Sequence, residues 1–140
     1  MKSLSFFIIF IVFSLSIGAS LHIEEVKNVK RDVKIISIGY HSDTCNDCNT
    51  LKAKMKKMNR KFLTSPIIFI KYNKTNKKKQ VKSERKLKKW GMLNIAKKEE
   101  GLKHVVLYNA STKEAIVTLF HTDSVDQLER KIKEALTNTP

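Results

Sequence analysis

Cysteine, glycine, proline and tryptophan are scarce in this 140-residue chain, which has 2, 4, 2 and 1 of them respectively. Four scattered glycines form no Gly-rich loop of the kind that cradles a phosphate group. The two cysteines, Cys45 and Cys48, make a single CxxC pair, whereas a strong zinc signature needs a second such pair. No serine triad and no pair of carboxylates indicates hydrolysis. The sequence therefore argues against phosphate-binding, hydrolytic and two-pair zinc sites.

Arginine is scarce as well, since only 4 of the 28 basic residues are arginine, although the formal net charge is +15. Proteins that read nucleic acids rely on arginine for forked contacts to phosphate and guanine, whereas lysine is mostly a solvated point charge. The composition therefore predicts no nucleic-acid partner. A basic surface of this kind is suited to attracting anionic membranes, cell-wall polymers or acidic client proteins.

Residues 1–20 have the pattern of a secretory signal peptide: an early lysine, an apolar run over 6–17 and small residues at 18–20. We predict cleavage near residue 20, a linker or short helix over 21–31, and a mature protein that is secreted, periplasmic or in the lumen of the secretory pathway. An uncleaved anchor is the alternative and would be the only membrane attachment. We favour cleavage because the run is shorter than the roughly 20 residues that span a bilayer.

Residues 32–140 form one predicted domain of the α/β class. Apolar, β-branched runs predict strands over 33–40 and 66–72 and a hairpin over 104–120, while 94–103 is predicted to be a loop. Three amphipathic helices are predicted, with inward-facing residues Leu51, Met55, Met58 and Phe62, then Val81, Leu87 and Trp90, and finally Val125, Leu128, Ile132 and Leu136. A strand–helix–strand opening favours a parallel pair, so we predict a small mixed β-sheet flanked by helices on both faces.

The position of the cysteine pair favours redox chemistry. The first strand is predicted to end near Gly39 and Tyr40, and the next helix to begin near Cys45. A helix N-terminus stabilises a thiolate, and Cys48, one turn later, can attack a mixed disulfide formed at Cys45. Two other interpretations stay open at this point, namely a structural disulfide and half of a metal site.

Residues 32–137 resemble the thioredoxin-like proteins in the order of their predicted elements. These are a strand, a CNDC motif that opens a helix, a second strand, a second helix, a hairpin and a terminal helix. The aromatic at Tyr40, the KKWGM sequence and the hairpin add to the resemblance. It implies a thioredoxin-like fold without an organic cofactor, in which Cys45 attacks client disulfides and Cys48 resolves the mixed disulfide, closing a Cys45–Cys48 disulfide. It also implies a client groove beside the pair. The residues assigned to this groove are Tyr40, His41, Thr44, Lys103 and His104.

Several positions depart from the thioredoxin pattern. Thr44 replaces the usual Trp, Asn and Asp replace Gly and Pro between the cysteines, and Gly39 stands where many thioredoxins bury an aspartate that assists proton transfer. The cis-proline expected before the hairpin is missing, and Lys103 or His104 is predicted to take its place. Because that proline shapes the client groove and keeps metal from the thiols, its absence leaves open a metal site with His41 or His104 as further ligands.

The sequence therefore predicts an exported thioredoxin-like thiol–disulfide oxidoreductase. Its partners would be client protein thiols or disulfides and an unidentified redox partner. The alternative is a non-catalytic thioredoxin-like binding module, whose cysteines form a structural disulfide or bind metal and whose basic surface recruits an acidic partner.

Overall fold

The computed structural model describes residues 32–99 and 101–140. The signal peptide and linker predicted over residues 1–31 lie outside this part of the chain. The strands and helices of the described residues are β1 (Ile35–His41), α1 (Asn46–Lys61), β2 (Ile67–Asn73), α2 (Lys77–Lys89), α3 (Leu93–Lys98), β3 (His104–Asn109), β4 (Ala115–Phe120) and α4 (Val125–Asn138). None of these helices combines the length and the apolar character needed to cross a membrane.

The four strands form one mixed sheet in the order β2-β1-β3-β4. Strand β1 pairs in parallel with β2 and antiparallel with β3, and β3 pairs antiparallel with β4. Because successive side chains of a strand point to opposite faces, Ile35 lies in one core while Ile36 and Ile38 lie in the other. The central strand β1 is thus buried on both sides, and its C-terminal end carries the chain towards the cysteines.

Helices cover both faces of the sheet, which confirms the predicted fold class. One core holds Leu51 and Met58 of α1 together with Leu128 and Ile132 of α4. The other core, on the opposite face, is built from β-strand residues and from α2, α3 and the turn between them. The periodicity of the first and last helices therefore identified their buried faces correctly.

Helix α4 begins with the predicted capping box. The hydroxyl of Ser124 accepts a hydrogen bond from the Gln127 N–H at 3.2 Å, and the Gln127 side chain accepts one from the Ser124 N–H at 2.7 Å. Such a cap satisfies two backbone donors that the helix itself leaves unpaired, and contributes about 1 kcal/mol.

The predicted inward position of Trp90 is wrong. Helix α2 ends at Lys89, and Trp90 is its C-cap residue with 38% of its surface exposed. Gly91 follows with φ +67°, and the N–H of Met92 reaches back to the carbonyl of Leu87 at 3.0 Å. This left-handed turn is a Schellman motif, which directs Met92 into the core instead of Trp90.

The loop predicted over 94–103 is also partly wrong, because Leu93–Lys98 form the short helix α3. Six residues are too few to show a helical period in the sequence. The helix forms because Ala96 packs into the core at 0% exposure, a tertiary contact that local propensity does not reveal.

Candidate functional site

The two cysteines lie at the start of α1, directly after the C-terminal end of β1. Cys45 is the N-cap residue, and its sulfur accepts a hydrogen bond from the Cys48 N–H at 3.2 Å. A disulfide joins the two residues, whose Cα atoms are 5.2 Å apart. Cys48 is only 2% exposed, whereas Cys45 is partly exposed. The first cysteine is thus partly accessible from solvent, and the second is enclosed.

Asp47, between the two cysteines, is neutralised by a neighbouring lysine. Its carboxylate lies 2.9 Å from the Lys103 ammonium and 3.8 Å from Nε2 of His121. The hydrogen bond from Lys103 holds the pKa of Asp47 below its ordinary value, so Asp47 is a carboxylate in the first turn of α1. The ion pair offsets a negative charge that would otherwise oppose a thiolate at Cys45.

Lys103 occupies the predicted place before the hairpin, and every peptide bond in the described residues is trans. Its φ of +72° lies in the left-handed region, which is unusual for a residue with a Cβ. Its N–H donates to the carbonyl of Tyr40 and its own carbonyl accepts from the His121 N–H, both at 3.3 Å. Lys103 therefore connects the ends of β1 and β4 as well as reaching Asp47.

Tyr40 and His104 form a buried stack beneath the surface. Their rings are 4.9 Å apart and inclined by 24°, and Tyr40 is 1% exposed. The Tyr40 hydroxyl lies 3.1 Å from that of Tyr108, and burial raises the pKa of Tyr40 above its usual range. Thr44 and Lys103 are exposed, in contrast. Of the residues assigned to a client groove, these two present the most surface to solvent, while Tyr40 supports the site from below.

His41 is buried at 4% exposure and makes one side-chain hydrogen bond. Its Nε2 lies 2.7 Å from Oδ1 of Asp43, whose other oxygen binds the Lys79 ammonium. The hydrogen bonds from Lys79 and then from His41 hold the pKa of Asp43 well below its usual range, so Asp43 is ionised. The second imidazole nitrogen, Nδ1, is buried and has no hydrogen-bond partner among the described residues.

A cavity of about 290 Å³ lies beneath the disulfide, between α1 and the sheet. Cys48 and His41 both line it, and Gly39 leaves space there that a side chain would otherwise occupy. Lys71 of β2 also lines the cavity, and burial, helped by the charge of Lys52, lowers the pKa of Lys71. The buried Cys48 side chain therefore shares a cavity with an imidazole.

Two residues of this region were missed by sequence reasoning. Asp43 lies two residues after His41, a spacing that places both on one side of an extended chain and could have indicated the pair. Phe120 is 48% exposed at the end of β4, where it pairs with His104 in the sheet. Only the strand order brings this apolar ring to the same end of the sheet as the cysteines.

His41 and His104, the additional ligands considered for a metal site, both line the cavity that Cys48 borders. Within residues 32–99 and 101–140, no group of three or more His, Cys, Asp and Glu side chains is arranged to hold a metal ion. His104 has Nδ1 3.2 Å from the Leu102 carbonyl and Nε2 3.2 Å from Glu99. Nδ1 thus lies beside a carbonyl oxygen, while Nε2, although close to Glu99, is buried without a hydrogen-bond partner among the described residues.

The mixed sheet, the order of its elements and the disulfide at the start of α1 define a thioredoxin-like α/β protein. The chain is similar to a thiol:disulfide interchange protein of the thioredoxin family from Chlorobium tepidum, at 15% identity over 76% of this chain and 83% of that one, with a TM-score of 0.55. It is also similar to a putative thiol:disulfide interchange protein from the same organism, at 14% identity over 76% of this chain and 83% of that one, with a TM-score of 0.54.

The thioredoxin of Malassezia sympodialis is similar at 12% identity over 76% of this chain and 82% of that one, with a TM-score of 0.50. No protein-family model and no curated protein sequence matches the chain. At such identities the likeness concerns the fold, and the predicted thioredoxin-like fold is confirmed.

Proposed function

We propose that this protein is an exported thiol–disulfide oxidoreductase that exchanges disulfides with client proteins. The observation that carries the proposal is the asymmetry of the cysteine pair at the start of α1. Cys45 caps the helix and is partly exposed, whereas Cys48 is 2% exposed. An accessible sulfur at a helix N-terminus is suited to attack, and an enclosed sulfur one turn later is suited to resolution.

The covalent steps involve only the two cysteine sulfurs and the sulfurs of the client, without an organic cofactor. The Cys45 thiolate attacks a client disulfide and releases one client thiolate, which leaves a mixed disulfide. The Cys48 thiolate then attacks Cys45, releases the second client thiolate and closes the Cys45–Cys48 disulfide. Run in reverse, the same steps oxidise a client dithiol.

Export is proposed from the signal-like residues 1–20 and from the cysteine usage. An oxidising compartment permits a disulfide to persist, whereas the cytosol keeps thiols reduced. Expression of the full chain in a secreting host, followed by mass measurement of the exported product, tests this. A product that starts near residue 20 supports export with cleavage, and a full-length product retained in the cytosol contradicts it.

A non-catalytic binding module is the second candidate, and specific positions favour it. Gly39 provides no buried carboxyl group beneath Cys48, and Lys103 occupies the place before the hairpin where thioredoxins carry a cis-proline. The basic surface, with a formal net charge of +15, would then recruit an acidic partner. In this case the cysteines would be a permanent disulfide or would bind metal after reduction.

Turnover of a disulfide substrate separates the two candidates. The oxidoreductase is expected to reduce a generic protein disulfide in the presence of a dithiol reductant, and Cys45→Ser is expected to abolish the reaction. Cys48→Ser is expected to accumulate the mixed disulfide, which mass spectrometry detects. Absence of turnover in the unmodified chain contradicts the oxidoreductase. Metal analysis of reduced protein purified without chelators then distinguishes a metal-bound pair from a permanent disulfide.

A further inference from the structure

We propose that His41 is the proton acceptor for the resolving thiol, taking the Cys48 proton at Nδ1 across the cavity beneath the disulfide. This inference rests on the proposed oxidoreductase function and adds a residue to its second step. Cys48 must lose its proton before it can attack, and an enclosed thiol has little access to bulk water. A base inside the same cavity removes that obstacle.

The contacts of His41 fix which nitrogen is free to accept. Asp43 is ionised, so its Oδ1 can only accept a hydrogen bond, and Nε2 at 2.7 Å must be the nitrogen that carries the proton. In the neutral imidazole, Nδ1 then has the lone pair. This nitrogen is buried and unpartnered among the described residues, which is a costly state for a polar atom without a role.

The cavity brings the side chains of His41 and Cys48 to a common space. His41 lines it from the end of β1 and Cys48 from the first turn of α1. A volume of about 290 Å³ is enough for several water molecules, which occupy roughly 30 Å³ each in the liquid. Water in this space gives the Cys48 proton a route towards the His41 side chain.

Other charged or titratable groups face the same space, and His104 is a second imidazole among them. They are Lys52 and Lys56 from α1, Lys71 from β2, His104 from β3, and Tyr40 from β1, while Lys79 of α2 contacts Asp43. Protonated lysines have no lone pair, and they favour the Cys48 thiolate by charge. Nε2 of His104 is likewise buried without a hydrogen-bond partner among the described residues, and it lies 3.2 Å from a Glu99 oxygen. If His104 were the acceptor instead, the rate of the second step would be unchanged in His41→Asn. The Tyr40 hydroxyl lies beside that of Tyr108.

The resolving step balances with His41 in this role. The Cys48 S–H bond breaks and its proton moves to Nδ1 of His41, which becomes an imidazolium held by Asp43. The Cys48 thiolate attacks Cys45, the bond between Cys45 and the client sulfur breaks, and the client leaves as a thiolate. The imidazolium then returns the proton to the leaving thiolate or to water.

The test uses the full chain, reduced, and a symmetric aromatic disulfide whose thiol absorbs visible light. The attack by Cys45 releases the first aromatic thiol and the attack by Cys48 releases the second, so one stopped-flow trace reports both steps. In His41→Asn, the first phase is expected to keep its rate. The second is expected to slow by about 30-fold at pH 7, because a thiol with pKa near 8.5 is only about 3% ionised there.

A pH series distinguishes proton transfer from a structural effect. The deficit of His41→Asn is expected to vanish above about pH 9, where the thiol ionises unaided. An equal second phase at pH 7 in both proteins overturns the inference, as does a deficit that persists at high pH. Absence of any first phase in the unmodified chain overturns the proposed function, and this inference with it.

Asp43→Asn provides a second variant that leaves the buried imidazole in place. Asp43 is partly exposed, with 32% of its side chain accessible, so its replacement disturbs the core less than a change at His41. Loss of the carboxylate removes the group that fixes the tautomer. At pH 7, the rate of the second phase is expected to fall by less than in His41→Asn, while the rate of the first phase is unchanged. An unaltered rate of the second phase counts against the role assigned to His41.

Discussion

Reduction of the Cys45–Cys48 disulfide is expected to lower the free energy of unfolding by about 2 kcal/mol at most and to leave the domain folded. The bridged residues are only 3 positions apart. The chain-entropy relation for a closed loop of about four residues gives roughly 6 cal/mol/K, which is about 2 kcal/mol at room temperature. A bridge this short constrains the unfolded chain very little.

Two features of the structure keep the effect of reduction small. The Cys45 sulfur caps α1, and a thiolate there interacts favourably with the helix dipole. This interaction offsets about 0.3–1 kcal/mol of the stability that is lost when the disulfide is reduced. The core is independent of the bridge, because Ile35, Leu107, Leu119, Leu128 and Ile132 are all 0% exposed. The expected net loss at neutral pH is therefore about 1–2 kcal/mol.

Urea unfolding followed by far-ultraviolet circular dichroism, with and without a non-thiol reductant at pH 7, measures this difference. The double variant Cys45→Ala, Cys48→Ala is the matched control, since its transition should not respond to the reductant. Loss of the cooperative transition, or a decrease above about 4 kcal/mol, would refute the reasoning. That result would show that the disulfide is a structural requirement of the domain.

Three further predictions concern the surroundings of the site. Gly39→Ala is expected to raise the free energy of unfolding by about 0.4–1 kcal/mol, because alanine has fewer backbone conformations than glycine in the unfolded chain. The new methyl group would lie 3.4 Å from its nearest neighbour, which is an ordinary contact distance. A lower urea midpoint would contradict this prediction. Lys103→Gly is expected to be more stable than Lys103→Met by about 1 kcal/mol in thermal unfolding. Both variants lose the ion pair with Asp47, but only glycine adopts the positive φ without strain. Equal stabilities of the two variants would show that the backbone at this position is not strained. Burial would raise the pKa of Asp123, but hydrogen bonds from Lys131 and from a backbone N–H lower it below its ordinary value. The ionised carboxylate therefore stabilises the folded state above about pH 4, and this stabilisation is lost as the pH falls further. Asp123→Asn should therefore lose about 1–2 kcal/mol at pH 7 and little near pH 2, and a pH-independent loss would contradict the assignment.

Much of the architecture could be predicted because its signals are local. The β-branched run of β1, the apolar periods of α1 and α4, and the capping box at Ser124 each depend on residues within a few positions of one another. The same is true of the cysteine pair, since a CxxC motif at the junction of a strand and a helix needs no distant partner. The exposure of Trp90 was not predicted because it depends on the geometry of the turn after α2. The short helix α3 was not predicted because it depends on the burial of one alanine.

The sequence by itself determined the class of the fold, the direction of the first strand into the cysteines, and the position of Cys45 at a helix N-terminus. Only the tertiary structure decided what surrounds the pair. Lys79 reaches Asp43 across 36 positions of the chain, and Lys103, directly before β3, reaches Asp47 in the first turn of α1. The reason is that such contacts depend on strand order and crossover geometry, which place distant residues at one end of the sheet and leave no periodic mark in the sequence.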